Sequence, residues 1–150
     1  MRYPALATMI GSLVVVVTVG CGGSTPPQVT PQVLSVGGTY QTAVSLLQST
    51  CVGTVVQTFS TAVTHAAGAS TLTVTHAGSV YTGTVSADAS FRTPAAPFQI
   101  NGVAYMIGIV GQFTVSGMDA TVTVDAALQP PCQFTARWAG PKTGSPNVIP

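Results

Sequence analysis

Three features of the sequence predict an all-β fold: an antiparallel up-and-down meander of about eight strands, forming a barrel or barrel-like sandwich. Polar and apolar residues alternate with period two over a stretch of about 100 residues. Val and Thr, both β-branched and suited to strands, dominate the alternating runs. Turn signals recur at intervals of about 8 to 12 residues. Eleven Pro and sixteen Gly, scattered without period, argue against long helices and against collagen.

The first run, residues 40–47, carries Tyr40, Ala43, Val44 and Leu47 at a spacing that also fits a helix. Its neighbours favour a strand. Val55, Phe59 and Val63 define a second apolar face. Thr71-Leu72-Thr73-Val74-Thr75-His76 alternates cleanly, so Leu72 and Val74 share one face and the threonines the other. Val103, Tyr105, Ile107 and Ile109 mark a strand apolar enough to be central. Asp119-Ala120-Thr121-Val122-Thr123-Val124-Asp125 and Gln133-Phe134-Thr135-Ala136-Arg137-Trp138 complete the pattern. Between these runs lie Gly37-Gly38, Ala66-Ala67-Gly68, Ala77-Gly78-Ser79, Ser86-Ala87-Asp88, Asn101-Gly102, Ser116-Gly117-Met118-Asp119 and Gln129-Pro130-Pro131. Asn101-Gly102 is the strongest of them, because a type I′ hairpin needs positive φ at both central residues. If the meander closes, its first and last strands become neighbours.

Charge is scarce. Four Lys or Arg and three Asp, with no Glu, are the only formal charges in 150 residues. Charged residues make up 5%, against about 25% in an average domain. A net charge of +1 offers no electrostatic footprint for nucleic acid. Thr, Ser and Gln supply polarity instead. The runs Thr71-Thr73-Thr75, Thr82-Thr84 and Thr121-Thr123 read as a solvent face. Edges without Lys or Glu gatekeepers would invite aggregation, which favours a closed barrel or edges covered by the Pro-rich tails.

The N-terminus differs from the rest. Met1-Arg2-Tyr3-Pro4 places one positive charge before an uncharged, mostly apolar run, residues 5–19. As a helix that run would rise about 22 Å, short of a hydrocarbon core of about 30 Å. It therefore fits a signal-peptide core better than a membrane span. Val17-Thr18-Val19-Gly20-Cys21-Gly22-Gly23-Ser24 resembles the lipobox of bacterial lipoprotein precursors. The resemblance implies a signal peptide over residues 1–20, cleavage before Cys21, and lipid attachment at the Cys21 sulfur, with palmitate-type chains as a membrane anchor. Thr18 stands where the family usually has Leu. Two or three chains would anchor stably, where one holds only marginally. Gly22 in place of Asp implies the outer membrane if the host is diderm. Residues 21–36 read as a flexible, Pro-rich linker, residues 37–140 as the β domain, and residues 141–150 as a flexible tail.

With Cys21 assigned to lipid, Cys51 and Cys132 remain as an even pair in an exported chain. A disulfide bond between them is expected. It would staple the closure point, because Cys51 follows the first run and Cys132 opens the last. A metal site that adds His65 and His76 lacks any familiar ligand spacing, so no metal is expected.

The stock for catalysis is thin. His65 and His76 read as surface histidines at strand ends, and the turn at Gly68 could let one pair with the other across a hairpin. Asp88 and Asp119 sit in turn-like sequence, where Asp caps its own backbone. Asp119 and Asp125 also flank a strand. No GxSxG, HExxH or phosphate loop occurs. The aromatics are expected to fill the interior of a small barrel, although such barrels can also hold one ligand. Gly38-Thr39-Tyr40 is loosely similar to the lipocalin G-x-W, and Arg137-Trp138 lies in the last strand as lipocalins would have it. The domain thus resembles small, uncharacterised, lipocalin-like bacterial lipoproteins.

These readings lead to a membrane-anchored cell-envelope lipoprotein acting as a binding or interaction module. It is not expected to be an enzyme or to use a cofactor. Its expected partners are the membrane and a small apolar ligand or an envelope protein, with no nucleic acid. A purely structural lipoprotein is the alternative, and a hydrolase built on His65, His76 and the Asp residues a more remote one. Intact-mass analysis of the membrane fraction should find a chain beginning at Cys21 with added diacylglycerol. Reductant should then add the mass of two hydrogens for the Cys51–Cys132 bridge.

Overall fold

The computed structural model describes residues 31–150. The expected signal sequence, Cys21 and the first part of the expected linker lie outside the described residues. Nine strands and no helix occur among those described. They are β1 (Gly38–Tyr40), β2 (Ala43–Ser49), β3 (Thr61–Thr64), β4 (Thr71–His76), β5 (Ser79–Val85), β6 (Ser90–Ile100), β7 (Val103–Thr114), β8 (Gly117–Ala126) and β9 (Cys132–Thr143). Each pairs antiparallel with its neighbours in the order β1-β3-β4-β5-β6-β7-β8-β9, and β1 also pairs with β9. The result is a closed eight-stranded barrel in which β2 is an extra strand on β9.

The hairpins form where the turn chemistry allows. Asn101 and Gly102 take φ of 51° and 80°, and Ala77 and Gly78 take 49° and 79°, so both two-residue turns have positive φ throughout. The period-two faces sort as the sequence predicts. Leu72, Val74, Ile107, Ile109, Ala120, Val122 and Val124 point inward and are buried.

Residues 40–47 are extended, as preferred over a helix, but the strand breaks at Gln41-Thr42. Before the break, β1 pairs with both β3 and β9. After it, β2 pairs with β9 alone. Gly140 makes the break possible. A Cβ at that position would collide with the Gln41 carbonyl oxygen. With Gly there, the chain presses against β9 and Gln41 N donates to Pro141 O at 2.9 Å.

The barrel is therefore closed and filled at one end. Phe91 stacks on Phe113 with centroids 4.6 Å apart, and Tyr40 packs against Phe113 at 5.6 Å. Leu34, Val36 and Met118 fill the same end. Burial pushes the Tyr40 hydroxyl up to about 12, although its bond to Asn147 pulls the other way.

Two expected boundaries are corrected by this packing. The final segment is no loose tail: β9 runs to Thr143, and Ser35 and Val148 form a β-bridge beyond it. Asn147 is buried. Its Oδ1 lies 2.8 Å from the Tyr40 hydroxyl, and its Nδ2 donates to Thr114 O at 2.7 Å. At the other boundary, Leu34 and Val36 belong to the core and not to a linker. Apolar burial of Leu34, Val36 and Ile149 supplies what a Pro-rich composition conceals.

A third correction concerns Val55 and Phe59. They lie in the irregular segment between β2 and β3, and only Val63 of that predicted face is in a strand and buried. Asp119 is likewise not a turn residue. It stands in β8 and forms a salt bridge with Arg137 of β9. Asp88 does cap its turn, accepting from Ser90 N at 3.1 Å and from the Ser90 hydroxyl at 2.7 Å.

The buried amide of Asn147 bonds to Tyr40, Thr114 and Gly117, so its loss leaves the Tyr40 hydroxyl with Val36 O alone and takes the donor from two carbonyls. Asn147→Ala should lower unfolding free energy by about 2 kcal/mol in urea titration, with little change for Asn147→Asp at the Tyr40 contact but loss at Thr114.

Candidate functional site

The open end of the barrel follows from the same break. Between β2 and β3 no ladder forms, and residues 50–60 span the gap. Cys51 is disulfide-bonded to Cys132, which pins the start of this strap to β9. The pairing expected from cysteine count is thus present, and it sits at the closure point. Thr50 N donates to Gln133 O at 2.8 Å, and Gln133 N donates back to Thr50 Oγ1 at 2.9 Å. The end of the strap is held by Thr58, whose hydroxyl accepts from Val44 N at 3.3 Å. Between these anchors Val52 and Val55 are almost fully exposed.

Beneath the strap lies a cavity of about 480 Å³. Val44, Ile107, Val122, Val124, Phe134, Ala136 and Trp138 form its inner wall, and Val55, Val56 and Phe59 come from the strap. A second hollow of about 350 Å³ shares Val55, Ile100, Ile107, Val124 and Phe134 with the first. It extends toward Tyr105 and Leu128. The filled interior expected from the aromatic count therefore holds for one half of the barrel only.

His76 is the one His, Asp, Lys or Arg lining either hollow. It is 6% exposed, which corrects its reading as a surface residue. Its ring stacks on Trp138 with centroids 3.8 Å apart and 22° between planes. Phe59 meets it edge-on at 5.8 Å. His76 Nδ1 lies 2.8 Å from Thr61 Oγ1, and Thr42 Oγ1 lies 2.7 Å from Thr61 Oγ1. Thr42 and Thr61 are both fully buried. Nε2 has no protein partner among the described residues, yet no buried side-chain nitrogen there is left unsatisfied. Nε2 is accordingly reached from the cavity. Burial lowers the His76 pKa below its ordinary value, so the ring is neutral at physiological pH.

The sequence carried a signal for this. His76 continues the inward face of Leu72 and Val74 at spacing two, and Thr42 continues that of Tyr40. Polar residues on a core face with hydrogen bonds to one another mark a site or a specificity device.

The other candidates lie elsewhere. His65 sits at the closed end, where Nδ1 accepts from Val36 N at 3.4 Å and Nε2 lies 2.8 Å from Ala69 O. The two histidines do not pair, because Thr61, and not His65, is opposite His76 in the β3–β4 register. Asp125 binds the Gln133 amide at 2.6 Å on the outer surface. The Arg137 guanidinium holds the Asp119 carboxyl below the usual range. Among the described residues no three His, Cys, Asp or Glu cluster as a metal site would require. Lys142 is close to Gly38 at the closed end.

Comparison of the chain with protein-family models, curated proteins and solved structures gives no match. The site is defined by its own geometry.

The folded state resists protonating His76, whereas the unfolded chain protonates it near pH 6.5. Stability should thus hold above that pH and fall as the pH drops below it. Trp138 is the single tryptophan. Its fluorescence should report a protonation with midpoint below 6.5, and His76→Phe should abolish that transition.

Proposed function

We propose that this protein is a lipid-anchored envelope lipoprotein whose barrel binds a small apolar ligand. The observation that carries the reading is the cavity of about 480 Å³ at the open end, walled mostly by apolar and aromatic side chains, with His76, Gln57, Ser79 and Tyr81 as its polar members. Ligand sites have this character: concave, mostly apolar, with few polar groups, and found in barrel mouths. Their volumes run from about 300 to 1,000 Å³. A packed interior normally leaves few voids larger than a water molecule.

The anchor fits this arrangement. Chain entering the barrel through Leu34 and Val36 arrives at the closed end, opposite the mouth. A lipid on Cys21 would tether the barrel through the chain that precedes Leu34. The closed eight-stranded ring with one extra strand supports the same reading, since small barrels can hold one ligand. The residues of the weak motif match do other work. Tyr40 packs inside on Phe113, while Arg137 pairs with Asp119 outside.

Binding is favoured over hydrolysis by the partners of His76. A hydrolase needs a nucleophile that substrate can reach, held by a base that is itself oriented. The hydroxyl bonded to His76 belongs to Thr61, which is 0% exposed. Asp88, Asp119 and Asp125 bond to Ser90, Arg137 and Gln133 instead.

Val124 lines both hollows, so a larger side chain there should occupy ligand space without crowding the filled end. Native mass spectrometry of the wild-type protein should show a retained or added apolar molecule. Val124→Trp should lose it, with a melting temperature within a few degrees of wild type. Equal binding by both proteins would count against the cavity as the site.

A further inference from the structure

We propose that His76 is the polar anchor of the bound molecule and that the ligand is an uncharged amphiphile with a single hydrogen-bond acceptor, such as a carbonyl, at one end. This rests on the cavity being a ligand site. It goes further in assigning the ligand's charge and the atom that reads it.

The assignment begins with the hydroxyl pair behind the imidazole. Thr42 Oγ1 lies 2.7 Å from Thr61 Oγ1, and Thr61 Oγ1 lies 2.8 Å from His76 Nδ1. Each hydroxyl has one proton to donate. If Thr42 donates to Thr61, Thr61 donates to Nδ1. The ring proton is then on Nε2, the nitrogen reached from the cavity. The chain run in reverse would end on Tyr40 O, at a longer 3.3 Å. In the first direction both buried hydroxyl protons sit in short bonds, whereas in the reverse the Thr42 proton is left to a contact longer than an O–H···O bond prefers, so the imidazole offers the cavity an N–H donor.

The ring cannot easily turn away from this task. Trp138 covers one face at 3.8 Å, Phe59 meets its edge, and Thr61 fixes Nδ1. A buried donor held this way selects strongly for a partner, because a ligand without one leaves the N–H unpaired.

Charge is excluded by the rest of the wall. Lys, Arg, Asp and Glu are all missing from the residues lining either hollow. A carboxylate or phosphate buried here would have no cation opposite it, which is costly. A neutral head with an apolar body matches a wall built from Val, Ile, Phe and Trp.

The test uses the full chain with Cys21→Ser, so that no attached acyl chain competes for the cavity. Quenching or enhancement of the single tryptophan, Trp138, follows binding of 2-octanone, octane and octanoate at about pH 8, where histidine is neutral. The expected result is that 2-octanone binds about tenfold more tightly than octane, and octanoate more weakly than 2-octanone. In His76→Phe the preference for 2-octanone over octane should vanish while octane binding persists. Thr61→Val, which keeps the imidazole and removes its partner, should shrink the same preference and serves if His76→Phe does not fold. An undiminished preference in either variant, or octanoate as the tightest of the three, would overturn the assignment to a neutral, His76-read head. Absence of binding by all three probes would overturn the apolar-ligand reading itself.

Discussion

One short strand decides the shape of this molecule. β1 pairs on one side with β3 and on the other with β9, and so closes the sheet on itself. Closure is the one arrangement that leaves a sheet with no edge to protect. It lasts for three residues. At Gln41-Thr42 the chain shifts against Gly140, and from there β2 follows β9 alone. All that distinguishes the two ends of the barrel follows from that shift. Above it the wall is continuous and the interior is packed with Tyr40, Phe91 and Phe113. Below it the β2–β3 ladder is missing, a strap crosses the opening, and the interior is hollow.

The two halves are stabilised by different means. The closed half relies on burial and on the hydrogen bonds of Asn147 and Tyr40, which join the last segment to the first strand. The open half cannot rely on packing to the same degree. The disulfide lies there, between residues 81 apart in sequence. In the loop-closure model a bridge of that span restricts the unfolded chain by about 4 to 5 kcal/mol. A covalent link at the least packed part of the barrel keeps the strap and β9 together without filling the cavity between them. The aromatic stack of His76 on Trp138 adds a contact between β4 and β9 inside the same gap.

Much of the barrel was legible from alternation and turn chemistry. Leu72, Val74, Ile107, Val122 and Val124 sort inward by parity alone, and Asn101-Gly102 and Ala77-Gly78 set their hairpins. What parity could not show was where the pattern stops being a strand. Val55 and Phe59 look like a strand face, yet no partner strand is available to them once β1 has taken the edge of β3. The tail misled for a different reason. Pro and Gly suggest a free segment, but one Asn at position 147 with four hydrogen bonds to β1 and the β7–β8 turn outweighs local composition. His76 was readable and was misjudged: it occupies the inward parity of β4. A lone histidine at a strand end passes for solubilising until its neighbours are known to be Trp138, Phe59 and Thr61.

The scarcity of charge acquires a local meaning in this light. Arg92 and Asp88 stand at the start of β6 or just before it, Lys142 closes β9, and Asp119 pairs with Arg137 across β8 and β9. Asp125, near the end of β8, is turned outward to Gln133. None of the six lines the hollows. A cavity open to solvent and free of fixed charge has a weak internal field, so water inside it is poorly held and easily displaced by apolar surface. The same wall gives an ion nothing to replace its hydration with. In such surroundings a neutral imidazole with one committed nitrogen and one free is enough to orient a molecule, while the Tyr81 hydroxyl on the same wall is engaged by Ser79. The lack of charged side chains that makes this sequence hard to read is thus the property that lets one histidine discriminate.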